Sequence, residues 1–350
     1  MALAEKDIIA QRLLNQQLAQ PTCKKAEDVV AKLGAIQAQE YAMAKWAIGL
    51  RVPGITDADV EAAFNKGTIL RTHVLRPTWH FVAPEDIRWL LQLSAPAIHA
   101  LSAYYYRRME LDKKVFAKSI KVLEKQLQGG RQATRNTIKQ YWEEAGIKTD
   151  DLRMVLLLMY AELAGVLCSG GREGKQFTYA LLEERVPSAK TVKKEEALHK
   201  LATLYFTTRG PAIVQDFSWW SGLSITDAKA GVETLGKAFE KENLEKKEYI
   251  FNPVETSALP GAFLMPAYDE YAVSYKDRSA LFTKGANATK MNSAVLGPTI
   301  IVKGKAIGNW KKQETKTGTE VSVKYFRPPT KAAEREVKKA IKNYKAFIEG

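Results

Sequence analysis

Cysteine is almost missing from this chain. Cys23 and Cys168 are its only two among 350 residues, far apart and in no Cys-x-x-Cys pattern, which excludes a disulfide framework and a cysteine-built zinc site. Histidine is nearly as scarce: there are four, and none sits in a cluster with metal-ligand spacing, so no metal or other cofactor is expected. The N-terminus, Met-Ala-Leu-Ala-Glu-Lys, lacks a basic-then-apolar leader, and the longest apolar stretch, residues 154–167, is broken by Glu162. A cytoplasmic protein without a membrane partner is the expectation. Acidic residues are also outnumbered, 39 against 53 Lys and Arg, for a net charge of +14. The excess is uneven, because residues 301–350 alone hold 13 basic and 5 acidic side chains. Such a balance favours a polyanionic partner such as nucleic acid. The length and the 46% hydrophobic content predict a globular chain with more than one core.

Apolar residues recur at helical spacing from residue 5 to about 66 (Ile8, Leu13; Val29, Val30, Leu33; Trp46, Leu50; Val60, Phe64), which predicts several short helices. Residues 68–83, rich in β-branched and aromatic side chains and punctuated by Pro77, read as a hairpin. Similar order returns twice. Helices are expected over 132–145 and 151–166, followed by a strand, a Gly-rich turn and a strand over 167–179. Further helices are expected over 193–206, 214–220 and 226–235, the last capped at Thr226, with a strand over 249–251. Beyond Leu259-Pro260 come short β-rich segments, 262–266, 295–302, 305–310 and 320–326, with turn signals at Gly285, Gly297, Gly304 and Gly318. A basic helix over 331–348 closes the chain. The class is α+β: repeated helix-and-hairpin units, then a small antiparallel sheet or barrel.

Residues 36–40, Ile-Gln-Ala-Gln-Glu, carry the most informative pair. Gly34 ends the preceding helix and a new periodic stretch starts near Ala42, so Gln37 and Gln39 fall in a short extended connector. There an i, i+2 spacing turns both carboxamides to one side, where they can hold a water or a polar ligand edge. Neither titrates, so neither is a strong general base. Glu40 points away from both on the same geometry and is read as structural or solvent-facing.

This pair, followed by Arg76-Pro77-Thr78-Trp79-His80 and by Asp216-Phe217-Ser218-Trp219-Trp220-Ser221-Gly222-Leu223, resembles the AlkZ/YcaQ family of bacterial DNA glycosylases over nearly the whole chain. The YcaQ branch has Gln-x-Asp where this chain has Gln37-Ala38-Gln39, so the AlkZ-like branch is the nearer one. The resemblance implies three tandem winged helix-turn-helix domains, residues 1–103, 104–187 and 188–260, and a C-terminal β-barrel with its basic helix, residues 261–350. It also implies a monomeric, monofunctional enzyme that hydrolyses the N-glycosidic bond of alkylated purines in damaged double-stranded DNA, with Gln37 and Gln39 catalytic. The glutamines suit that chemistry: an alkylated, cationic purine leaves as a neutral base, and the enzyme must chiefly place water and stabilise an oxocarbenium-like state. Whether interstrand crosslinks are unhooked stays open, as does the alternative of a non-catalytic winged-helix regulator.

His80 and Arg76, in the first hairpin, are candidate DNA contacts. Gly170-Gly171-Arg172-Glu173-Gly174-Lys175 lacks the Gly-Lys-Ser/Thr ending of a phosphate cradle. It reads as a wing tip bringing Arg172 and Lys175 to the DNA backbone. Trp219 and Trp220 are read as core. The block from Tyr268 to Arg278, with Asp269, Glu270, Lys276 and Asp277, is expected to form an ion-pair network between domains.

Overall fold

The computed structural model describes residues 3–150, 152–255, 259, 261–282, 295–316 and 318–350. Expected features at Asp151, Pro260 and Gly285 lie outside the described residues. The first unit consists of α1 (Glu5–Asn15), α2 (Ala26–Leu33), β1 (Ile36–Gln37), α3 (Tyr41–Gly49), α4 (Asp57–Lys66), β2 (Leu70–His73) and β3 (Trp79–Val82). Local chemistry sets these limits. Gly34 stops α2 at φ +74°, a backbone region that suits glycine. Thr56 opens α4 by accepting from the Asp59 backbone N–H while the Asp59 carboxylate accepts from the Thr56 N–H. β3 lies between β1 and β2, antiparallel to both.

Two long helices follow, α5 (Ile87–Arg108) and α6 (Lys113–Leu127), neither of which is among the elements expected from sequence. Pro96 sits inside α5, and an internal proline normally reads as a break. The second unit continues with β4 (Ala133–Thr134), α7 (Arg135–Glu144), α8 (Arg153–Leu163), β5 (Leu167–Glu173) and β6 (Gln176–Leu181), in sheet order β4-β6-β5. α9 (Leu182–Arg185) closes the second unit, and the third contains α10 (Lys194–Arg209), α11 (Val214–Ser221), α12 (Ile225–Glu233) and the hairpin β7 (Glu240–Leu244) and β8 (Lys247–Phe251). The cap of α12 is Ser224, whose hydroxyl accepts from the Asp227 N–H, and not Thr226.

The C-terminal part carries β9 (Ala262–Met265), α13 (Glu270–Val273), β10 (Thr299–Val302), β11 (Lys305–Thr315), β12 (Gly318–Tyr325) and α14 (Lys331–Glu349). Among the described residues its strands form an open antiparallel sheet in the order β12-β11-β10-β9, not a closed barrel. β10 begins at Thr299 instead of Val295, after Pro298, which has no N–H to give a ladder. The basic helix α14 is more than a charged surface: Tyr344 and Phe347 pack on Trp46 at ring separations of 5.0 and 5.1 Å, and Tyr344 on Trp310 at 4.8 Å. One apolar core thus joins the first unit to the C-terminal sheet.

Two buried carboxylates at the start of α13 tie the units together, as the charge pattern of that block predicts. Asp269 accepts from both terminal nitrogens of Arg51, at 2.8 and 2.9 Å. Glu270 Oε2 accepts from Arg209 Nη2 at 2.8 Å, Ser274 Oγ at 2.7 Å and Trp220 Nε1 at 2.9 Å. Burial acts to raise the Glu270 pKa, but the charge and hydrogen bonds of Arg209, with that of Ser274, outweigh it and bring it to about 2. Removing one member of such a pair strands the other charge in the interior. Arg209→Met is therefore expected to lower the unfolding free energy by about 3–5 kcal/mol, read as a lower urea midpoint; an unchanged midpoint would show that the pair does not hold the units together.

Candidate active site

The expected extended connector is β1, and its exposed edge is capped by a side chain from far along the sequence. Ala38 N–H donates to the Trp79 carbonyl at 2.7 Å, so the neighbouring Gln37 N–H points away from β3. It donates instead to Glu270 Oε1 at 3.0 Å. Arg209 fixes the residues just before, donating to the carbonyls of Leu33 at 2.9 Å and Ala35 at 3.0 Å, and Arg71 Nε donates to the Ala38 carbonyl at 3.0 Å. The backbone around Gln37 is thereby held from both sides. Every Glu270 oxygen is engaged, so this carboxylate positions and does not act as a base.

Gln37 is paired with His80 across β1 and β3, and His80 with Thr72 across β3 and β2. Directly opposite residues in antiparallel strands project from the same face, so these three side chains form a row across the sheet. Each has a buried polar atom without a hydrogen-bond partner: Gln37 Oε1, His80 Nε2 and the Thr72 hydroxyl. The nearby turn adds Thr78 Oγ1 and Arg76 Nε and Nη2. Most buried polar groups in folded proteins are satisfied, and each exception costs about 1–3 kcal/mol. A concentration of them at one place marks a site built for something else to occupy.

His80 is fully buried and its Nδ1 lies 2.9 Å from the Thr78 carbonyl. A carbonyl only accepts, so Nδ1 carries the proton and Nε2 is left as a bare acceptor. Burial, reinforced by the Arg76 charge and opposed by Glu270, pushes the His80 pKa down to about 3. Burial likewise holds the Arg76 guanidinium below its ordinary value, with Glu270 opposing and Arg278 and Arg209 adding to the depression. The expected DNA contact at His80 therefore has no surface from which to touch a phosphate.

The other expected residues fall in different places. Gln39 is exposed, one residue beyond the strand pairing, and Glu40 is exposed at the start of α3. Lys175 is exposed in the turn of the β5–β6 hairpin. Arg172 is turned back on the protein, 4.6 Å over the Phe177 ring and 5.0 Å over Tyr41, with Glu61 3.8 Å from its Nε. Asp269 and Asp277 are not a carboxylate pair, since Asp269 is bound to Arg51 and Asp277 to Lys247.

Sequence reasoning left three contributors out of the site. Trp220 is core, as expected, yet its indole N–H is also a Glu270 ligand, whereas Trp219 is 44% exposed. Gly222, in the same motif, has φ +71°, and a β-carbon there would lie 2.0 Å from the Leu75 carbonyl oxygen. That position must be glycine for α11 to sit against the turn that carries Arg76. Thr72 emerges only from strand register; its sequence neighbours carry no signal.

Residues 30–347 match the family model described as DNA glycosylase AlkZ-like. An interstrand DNA cross-link repair glycosylase of Streptomyces sahachiroi is 22% identical over 357 residues, covering 96% of this chain and 95% of that protein. The solved structure of the Streptomyces sahachiroi DNA glycosylase AlkZ superposes with a TM-score of 0.80 at 21% identity, covering 99% of both chains.

The buried histidine has a consequence for stability. Unfolded, His80 takes up a proton below about pH 6.5, but in the folded chain it does so only near 3. Across this window the unfolded state binds the extra proton, so acidification should erode stability by about 1.4 kcal/mol per pH unit from this residue alone. Urea titrations between pH 6.5 and 4.5 should give a shallower pH dependence for His80→Gln than for the parent chain. Identical slopes would mean that His80 titrates normally.

Proposed function

The chain belongs to the AlkZ-like family of DNA glycosylases, hydrolases acting on N-glycosyl bonds, and from that premise we propose that it removes cationic N7- or N3-alkylated purines from double-stranded DNA. The product is an abasic site, and unhooking of interstrand crosslinks is the same reaction on a bridged base. The reading has a monomer working in the cytoplasm without a cofactor, its residues 1–103, 104–187 and 188–260 serving as tandem winged helices and 261–350, with its open sheet, as a closing domain. No described helix is long and apolar enough to cross a membrane.

One observation carries the assignment: Gln37 has its backbone clamped by Glu270 while its side-chain oxygen is buried and unpartnered. A fixed frame presenting an unmet acceptor suits the placement of a reacting water. Gln39, exposed beside it, faces the incoming nucleotide at the mouth. Arg76 Nε and Nη2 are buried and unpartnered; they form the edge of a guanidinium that would grip, in two-point fashion, a phosphate carried into the site with the nucleotide. Lys175 at the hairpin turn, with Arg172 behind it, adds sequence-independent contact to the DNA backbone.

Nothing in this set protonates a leaving base. Substrates must therefore arrive activated, with the positive charge of the alkylated ring drawing the glycosidic electrons as the bond breaks. Single-turnover release of N7-methylguanine from duplex DNA tests the proposal. Gln37→Ala and Gln39→Ala should each slow release by about 100-fold or more, with DNA affinity and thermal stability near those of the parent, and neutral uracil should be spared. Inactivity of the parent chain on every alkylated duplex, together with tight binding to one defined undamaged sequence, would favour a winged-helix regulator.

A further inference from the structure

We propose that His80 is a catalytic residue: its bare Nε2 and Gln37 Oε1 accept hydrogen bonds from the two O–H groups of the attacking water, and His80 then takes one of those protons. The inference rests on the glycosylase reading above and assigns His80 to chemistry instead of to DNA binding.

The geometry is that of the row. Gln37 and His80 are directly opposite in β1 and β3. The Ala38 N–H to Trp79 carbonyl bond makes the adjoining Gln37–His80 position a non-hydrogen-bonded pair, the kind in which facing side chains stand closest, with Cβ atoms about 4.5–5.5 Å apart. Both unpartnered atoms are acceptors: the Gln37 carboxamide oxygen, and His80 Nε2 because Nδ1 donates to the Thr78 carbonyl. Two neighbouring acceptors lacking donors are met by one molecule that donates twice, and water is the smallest such molecule. With both protons so engaged, a water lone pair is free to face the anomeric carbon. Gln37 is the half-buried member of the pair and His80 the fully buried one, so Gln37 is the side chain that turns to admit the water.

The electron and proton balance is simple. The C1′–N bond breaks with its electron pair going to the departing purine, which neutralises the charge on the alkylated ring. The water oxygen gives a pair to C1′, forming the C–O bond. The resulting protonated hydroxyl passes one proton to His80 Nε2, which hands it to solvent. A protonated alcohol is a far stronger acid than imidazolium, even one whose pKa is about 3, so this transfer is downhill. The positive charge of Arg76 nearby then speeds loss of the proton and returns His80 to its neutral form.

Asparagine and glutamine separate the two ring nitrogens. His80→Asn keeps a donor for the Thr78 carbonyl but ends short of the Nε2 position, while His80→Gln places an amide oxygen near that position. In single-turnover release of N7-methylguanine at saturating duplex, H80N should be slower by about 100-fold with the DNA dissociation constant unchanged, and H80Q should recover at least tenfold of that loss. A parent-like rate in H80N, or equal defects in both variants expressed as weaker DNA binding, would overturn the proposal. Should H80N not fold, the pH–rate profile of the parent chain decides. With Arg76, Glu270 and His73 as the titratable or charged groups around His80, the acceptor stays neutral and the rate should be flat from pH 8 to 5. A rate that rises as the pH falls through about 6.5 would show that the cationic form of the histidine is the active one and sink the assignment. If the parent chain releases no alkylated base, the proposed function itself fails, a result distinct from an active parent with an indifferent H80N.

Discussion

The buried pair between Arg209 and Glu270 is the constraint on which the rest of the site depends. Both groups are fully buried, and taking two charges out of water costs several kcal/mol each unless their hydrogen-bonding capacity is used. Here it is used completely. Arg209 donates to Glu270, Ser274, Thr208 and the carbonyls of Leu33 and Ala35. Glu270 in turn accepts from Arg209, Ser274, Trp220 and the Gln37 backbone. Five segments, contributed by α2 and its exit, β1, α10, α11 and α13, are therefore fixed relative to one another by two side chains.

That constraint explains how a strand of two residues stays in place. β1 lies at the sheet edge and its pairing with β3 offers little energy of its own. An edge strand also exposes N–H groups to unwanted pairing. Glu270 occupies the outward N–H of Gln37, and Arg209 the carbonyls just upstream, so the register that puts Gln37 opposite His80 is set by the clamp more than by the ladder. A slip of one residue would turn Gln37 to the opposite face and separate it from His80. The third unit thus matters to the site although it supplies no side chain to the row: Arg209, Trp220 and Gly222 decide where the first unit's strands lie.

Much of this was legible locally. Gly34 signalled the helix end, and the spacing of Gln37 and Gln39 in an extended connector signalled a shared side; strand pairing through Ala38 agrees with the first half of that expectation, while Gln39 falls just past it. Three motif blocks pointed to the family. What sequence could not provide was long-range register. Glu270 is 233 residues from Gln37, and nothing in its charged block says which backbone N–H it caps. Thr72 is one β-branched residue among many until β2 is aligned with β3. His80 reads as a DNA contact from its place in a hairpin; only its burial and the Thr78 carbonyl assign its protons. α5 was hidden by its internal Pro96, but α6 has no such break and its spacing of Phe116, Leu123 and Leu127 behind the Asp112 cap was there to read; the closed barrel was replaced by an open sheet because strand count from alternation does not reveal closure.

The distribution of charge has a chemical meaning on the proposed reading. Glu270, the carboxylate whose charge reaches His80, and its neighbour Asp269 are both bound to arginines, leaving neutral acceptors in the row and the charge of Arg76 acting on His80. A free carboxylate there would activate water strongly and would also attract any cationic group, making hydrolysis less dependent on the state of the base. Neutral acceptors hold water without making it a strong nucleophile, so the barrier falls far only when the leaving group is already labile. Selectivity then resides in the reactivity of the lesion as much as in its recognition. A basic protein can scan undamaged duplex through phosphate contacts without harming it, because an unmodified purine, even if drawn against Gln37 and His80, meets no acid able to release it.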